Sequence, residues 1–200
     1  EPAGISAIDK MWKIQEAILN LEKQWTTYCQ HPLIASGGQF INVNTIRGGE
    51  SLSSIPDSCE ITGSLLFNPG QSSVEIIKEI NSVVDSVTQG DYWLRKNPPE
   101  IEIPFRGLLK ESVEVPLDHE GCQTLMDSYR EAMNAEPEIC SSPFVSDANF
   151  WFPQGQTVVM FGPGDLNMGV HGANEYVPVS QVIDACKVLA AMMINWCEVS

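Results

Sequence analysis

The sequence predicts an α/β protein. Its first half is a two-layer α-β-β-α-β unit, a ferredoxin-like arrangement lacking its first strand, and an incomplete α/β segment follows. Three observations predict this. Apolar residues at helical spacing open the chain. Two alternating, β-branched stretches come next, and a second helical stretch leads into a short alternating segment. The division is expected near residue 106, giving segments 1–106 and 107–200.

Residues 4–30 place Ile8, Met11, Ile14, Ile18, Leu21, Trp25 and Tyr28 on one helical face, with Gly4 and Ser6 near the start and His31-Pro32 as the stop. Residues 40–47 alternate and end at Gly48-Gly49. Residues 59–67 alternate again, with Cys59, Ile61, Gly63, Leu65 and Phe67 on one face. Asn68-Pro69-Gly70 is a turn, and Ser72 or Ser73 caps a helix over 73–88 that turns Ile77, Ile80, Val84 and Val87 inward. Pro98-Pro99 then leads to a short strand at 101–105.

The second segment predicts a helix at 119–134, capped by Asp118, with Cys122, Leu125, Met126, Tyr129 and Met133 inward. The run 157–161, bounded by Gly155 and Gly162, reads as a strand covered on both faces. A last helix at 180–197 carries a wide stripe (Val182, Ile183, Cys186, Leu189, Ala190, Met193, Ile194) that implies deep burial. Cys122, Cys186 and Cys197 lie on apolar helix positions and read as small core residues. One or two strands and two helices cannot close a parallel sheet, so both segments read as parts of larger domains. Glu1, rather than Met, opens the chain, in keeping with that expectation.

Eleven Lys and Arg against 26 Asp and Glu give a net charge of −15 and a pI near 4.4. That balance argues against nucleic acid and against an anionic membrane face as partners. The six cysteines form no CxxC pair and no zinc-ribbon spacing, which suits a reducing, cytoplasmic setting.

Three histidines could carry chemistry. His31 at a helix end and His119 between two acids read as surface residues. His171 lies in GPGDLNMGVHGANEYV (162–177), a glycine-rich loop that follows the apolar run, where α/β sheets place their sites. Asp165, Asn174 and Glu175 are nearby. A zinc site needs three or four protein ligands, and one His with scattered carboxylates does not reach that number. The chain has no HExxH, no GxSxG elbow and no phosphate loop with its Lys. The eight acids of 111–138 read as a solvated helix face.

Four stretches together carry a family resemblance: GISAIDKMWKIQEAI (4–18), INVNTIRGGESLSSIPDSCEITGSLLFNPGQ (41–71), SDAN (146–149) with TVVMFGPG (157–164), and HGANEYV (171–177). In this order they resemble the second half of the zinc-dependent exopeptidases and deacylases. That group includes acetylornithine deacetylase, succinyl-diaminopimelate desuccinylase, aminoacylase and glutamate carboxypeptidase. The resemblance implies a dimerising lid over 1–106 and the C-terminal portion of a hydrolase catalytic domain over 107–200. It implies two zinc ions in the intact protein, with His171 matching the last metal ligand. The remaining ligands and the general-base Glu are implied to lie upstream. Gly162, Asn149 and Ser54 fall at positions that line the substrate. Leu66 stands where the family often carries an Arg that grips a substrate carboxylate, and a Leu cannot pair with one. Arg47 is a possible substitute.

The resulting expectation is part of a di-zinc amide hydrolase acting on N-acyl amino acids or short peptides, homodimeric through its lid, with the 200-residue chain alone inactive and its zinc site incomplete. The alternative is a non-enzymatic dimerisation or binding module.

Overall fold

The computed structural model describes residues 4–28, 31–34, 40–103, 109–142 and 145–197. By its internal contacts the chain forms two units, Glu1–Ser112 and Val113–Ser200.

In the first unit, helix α1 (Ala7–Tyr28) starts where the Ser6 hydroxyl accepts the Asp9 N–H at 3.2 Å. Strands β1 (Phe40–Gly48) and β2 (Cys59–Leu66) pair antiparallel. Helix α2 (Ser73–Gly90) begins with a capping box: Ser72 Oγ accepts the Glu75 N–H, and the Glu75 carboxylate accepts the Ser72 N–H. Both Ser72 and Ser73 were candidates for the cap, and Ser72 fills the role. Ser73 instead donates its N–H to Glu111 at 3.0 Å.

The ladder contains one irregularity that the alternation does not show. Val43 pairs with Gly63, but Thr45 pairs with Thr62, so Asn44 is an extra residue. Such a bulge reverses which parity faces inward. It puts Ile41, Val43 and Ile46 opposite Leu65, Gly63 and Ile61, so the apolar residues of both strands share a face despite the broken alternation. Gly63 permits the close approach there, because a Cβ would sit 2.4 Å from the Asn42 carbonyl oxygen.

The helices cover the Ile41–Leu65 end of that face and leave Ile46 exposed. Leu21, Trp25, Ile41 and Ile76 form one buried cluster, and Ile14, Val84 and Leu94 form a second. Ile18 and Ile80 pack against both. The most buried positions of α2 are Ser73, Ile76, Val84 and Thr88, so its inward stripe is centred beside the Ile77 and Val87 expected from spacing. Tyr28, expected on the inner face of α1, is exposed.

Asp91 joins α1 to the end of α2. Its Oδ2 accepts from Lys10 Nζ at 2.7 Å and Lys13 Nζ at 2.9 Å, while its Oδ1 accepts the Trp93 and Leu94 N–H groups. The two lysines first, then the backbone donors, hold its pKa well below the usual carboxylate range. A depressed folded-state pKa contributes stability above the unfolded pKa of about 4, and that stability is lost as pH falls towards the folded value. Asp91→Asn is therefore expected to lower the melting temperature at pH 7. The gap from wild type should close as pH drops below about 4. Melting curves across pH 2–7 check this, and a pH-independent gap would contradict it.

Residues 101–103 form no strand, and 104–105 lie outside the described residues, which corrects the predicted third strand. Prolines at 98, 99 and 104 flank this segment, each without an N–H to give to a ladder and with a fixed φ, which disfavours extending a strand through it.

In the second unit, helix α3 (Glu120–Met133) is capped by His119, not by Asp118. His119 Nδ1 accepts the Gly121 N–H at 3.0 Å, which leaves the proton on Nε2, 3.1 Å from Thr157 Oγ1. The ring thus ties the start of α3 to the 157–161 segment. Helix α4 (Ala148–Trp151) is one turn, and helix α5 (Val179–Cys197) packs on α3. Val188 and Ser128 are fully buried between neighbouring elements, and Asn195 Nδ2 donates to Ser128 Oγ at 3.2 Å. Tyr129 meets Phe161 edge-to-face at 6.3 Å.

Two expectations are corrected here. The run 157–161 forms no strand, and Val159 and Met160 are exposed. Among the described residues of this unit there is no strand to pair with it. Helix α5 is not deeply buried either. Ala185 and Val188 are buried, whereas Ile183, Cys186, Leu189, Met193, Ile194 and Cys197 are exposed. One neighbouring helix covers one line of side chains, and the stripe is wider than that. Of the three cysteines read as core, only Cys122 is buried. Burial, and then the Asp118 charge, push its thiol pKa up.

Candidate active-site loop

The loop 162–176 is side-chain-poor, as its four glycines dictate, but it is not loose. Gly164, at φ 113°, donates its N–H to Gln181 Oε1 in the first turn of α5 at 3.0 Å. Asp165 caps a 3₁₀ turn (Leu166–Met168) by accepting the Asn167 N–H at 2.7 Å. The Gly172 N–H reaches the Gly169 carbonyl at 2.8 Å, and the Tyr176 N–H reaches the Met168 carbonyl at 3.3 Å.

His171 sits inside this closed segment, exposed, with its backbone left-handed at φ 61°. Its N–H donates to Glu175 Oε2 at 3.2 Å. Asn174 is also left-handed, at φ 66°. Gly162 is exposed at the start of the same loop. Asn149 lies at the first turn of α4, half-buried, where its Oδ1 accepts the Ser146 N–H at 3.1 Å. Ser54 belongs to the first unit, exposed in the turn between β1 and β2. Gly162 and His171 thus belong to one loop, while Asn149 and Ser54 lie on other segments. Arg47 is exposed and stands opposite Glu60 in the ladder. Leu66 ends β2, half-buried.

Sequence spacing did not point to Glu175 or Gln181 as supports of the loop. Gly and Asn at 172 and 174 mark a turn, but nothing marks a His in the left-handed region.

Among the described residues, no group of three or more His, Cys, Asp or Glu could hold a metal ion. The carboxylate beside His171 is engaged with its backbone. The described residues therefore do not make up a complete zinc site. The second unit carries only two cations, Arg130 and Lys187, against twelve Asp and Glu. Both cations are paired: Arg130 with Asp127 and Glu136, Lys187 with Asp184. The field around this unit is accordingly negative. A broad depression of about 560 Å³ is lined by Phe150, Trp151, Gln154, Gln156 and Val158, and includes none of the expected site residues.

The sequence profile described as Peptidase family M20/M25/M40 matches residues 14–195. The chain belongs to this family. Among curated M20 relatives it is 31% identical over 201 residues to the N-formyl-4-amino-5-aminomethyl-2-methylpyrimidine deformylase of Bacillus subtilis, covering 98% of this chain and 47% of the relative. It is 28% identical over 158 residues to the acetylornithine deacetylase of Myxococcus xanthus, covering 78% and 38%. The chain thus spans about half or less of the length of these relatives. An M20 family metallo-carboxypeptidase of Sulfolobus solfataricus superposes with a TM-score of 0.60 at 12% identity, over 98% of this chain and 47% of the other. At that identity the likeness concerns the fold alone. The family, with acetylornithine deacetylase among its members, is the one that the four ordered motifs resemble. The chain is mixed helix and antiparallel sheet, as expected in outline. Among the described residues no helix is long and apolar enough to cross a membrane.

Proposed function

We propose that the protein carrying this chain is a metal-dependent hydrolase that removes a small acyl group from nitrogen. The observation that carries this is the family match over 14–195, joined to relatives named for deformylation and deacetylation. In this reading residues 1–106 are the lid and 107–200 the end of the catalytic domain. His171 is the metal ligand this chain contributes, polypeptide outside the chain supplies the other ligands, and zinc is the metal. The protein is a cytoplasmic homodimer joined through the lid, and these 200 residues alone are inactive.

Two substrate classes are compatible with this chemistry: N-acyl amino acids or short peptides, and N-formyl amines of the kind the Bacillus relative is named for. Leu66 favours the second, because no guanidinium stands at that position to meet a carboxylate.

Released formate and acetate, measured for the complete protein on an N-formyl-aminopyrimidine and on N-acetyl-ornithine, test this. A carboxylate left without its partner should be disfavoured about tenfold or more, so kcat/KM should be higher on the formamide. Failure to hydrolyse either amide would sink the reading. Stoichiometric zinc with turnover in the 200-residue chain would refute its inactivity.

A further inference from the structure

We infer that Glu175 is a positioning residue for His171: by accepting the His171 N–H it holds the left-handed backbone that fixes where the imidazole points. The inference rests on the reading of His171 given above.

A side chain with a Cβ is disfavoured at φ 61°, and a glycine would be at ease there but carries no imidazole. His171 is flanked by Gly169 and Gly172, so the loop has glycines available and nonetheless places a histidine at the left-handed position. Among the described contacts, three hydrogen bonds close the segment around it. The bonds from Gly172 to Gly169 and from Tyr176 to Met168 join backbone to backbone and do not depend on side-chain identity. The bond from His171 N–H to Glu175 Oε2, at 3.2 Å, depends on one side chain and ends on the strained residue itself. Asn174, which directly precedes Glu175, is left-handed as well, at φ 66°. Asn and His both occur in that conformation more often than most residues with a Cβ, and each still depends on its surroundings to stay there. Backbone strain of this kind persists only where the surroundings over-determine it, and the Glu175 carboxylate is a side-chain contact made directly to the His171 N–H.

The test compares Glu175→Ala with Glu175→Gln, which keeps an acceptor oxygen at the same reach. A positive φ shortens the distance between a residue's own amide proton and its Hα, so the nuclear Overhauser effect between them reports the conformation. The expected result for Glu175→Ala is a weakened effect at His171, exchange of its amide proton about tenfold faster, and an unchanged melting temperature. Glu175→Gln is expected to restore the first two. Wild-type values in Glu175→Ala would overturn the inference, as would equal loss in both variants.

If Glu175→Ala proves unstable, His171→Gly provides the second arm. A glycine needs no support, so adding Glu175→Ala in that background should leave the Gly172 amide protection unchanged, and any further loss overturns the inference. In the complete protein, Glu175→Ala is expected to lower kcat with little change in KM. If that protein hydrolyses no amide at all, the proposed function fails, while the signals at His171 still decide the role of Glu175.

Discussion

Trp25→Ala is expected to destabilise the unit Glu1–Ser112 by about 3–5 kcal/mol. Trp25 is 3% exposed and packs with Leu21, Ile41 and Ile76, so its removal leaves a void bordered by α1, β1 and α2. The indole also joins two helices chemically, because Nε1 donates to Glu79 Oε2 at 2.6 Å. Trp25→Phe separates the two contributions. It keeps most of the ring volume and loses the charge-assisted hydrogen bond, for an expected cost of about 1.5–3 kcal/mol. Domains of this size hold about 5–15 kcal/mol in total, so the alanine variant should leave a measurable unfolded population. Denaturant titration, with amide exchange of β1 as the probe of this unit, gives both values. A cost below about 1 kcal/mol for the alanine variant would mean that Trp25 does not anchor the core.

Much of this unit was legible because its signals are local. The helical spacing of Ile14, Leu21 and Trp25, a serine cap before α2 and the glycine end of β1 each act within a few residues, and each is found where it was expected, while the reciprocal bond from Ser72 to Glu75 is added by the structure. The bulge at Asn44 was not legible. A single inserted residue leaves the composition of the strand unchanged, and its consequence, Ile46 sharing a face with Val43, appears only once β2 is laid beside β1. The run 157–161 failed for the opposite reason. Its residues suit a strand, but a strand exists only through its neighbours, and the described residues of its unit supply none.

The candidate site divides in the same way. His171 was singled out by its loop and by the motif around it, which is side-chain identity in sequence order. What holds the loop is not sequence-local in that sense. Gln181 lies in the next helix and reaches back to Gly164, and the Glu175 carboxylate, one residue after the left-handed Asn174, accepts the His171 N–H. Backbone conformation decides these contacts, and no residue type at 171 announces it. Asn149 and Ser54 rest on motif position alone, and their described neighbours are those of ordinary turns.

Val188→Asp is expected to disrupt the second unit, at a cost of about 4 kcal/mol or more, while the adjacent Leu189→Asp should cost this chain less than about 1 kcal/mol. The two positions look alike in the apolar stripe of α5. The structure separates them: Val188 is 0% exposed on the side facing α3, and Leu189 is 42% exposed. The variant also carries a pH signature. A carboxylate placed at Val188 is desolvated, so its folded-state pKa rises above the unfolded value of about 3.9. The folded state then binds more protons than the unfolded state between the two values, and the stability of the variant falls as pH rises through that window. Asp91 in the first unit gives the reverse dependence. The consequence reaches the loop, because α5 begins three residues after Tyr176 and its Gln181 holds Gly164. Val188→Asp should therefore strip protection from the Gly164 and Gly172 amides at neutral pH and return it on acidification. Leu189→Asp should leave both unchanged. Equal effects from the two variants would mean that α5 does not meet α3 along the Ala185–Val188 line.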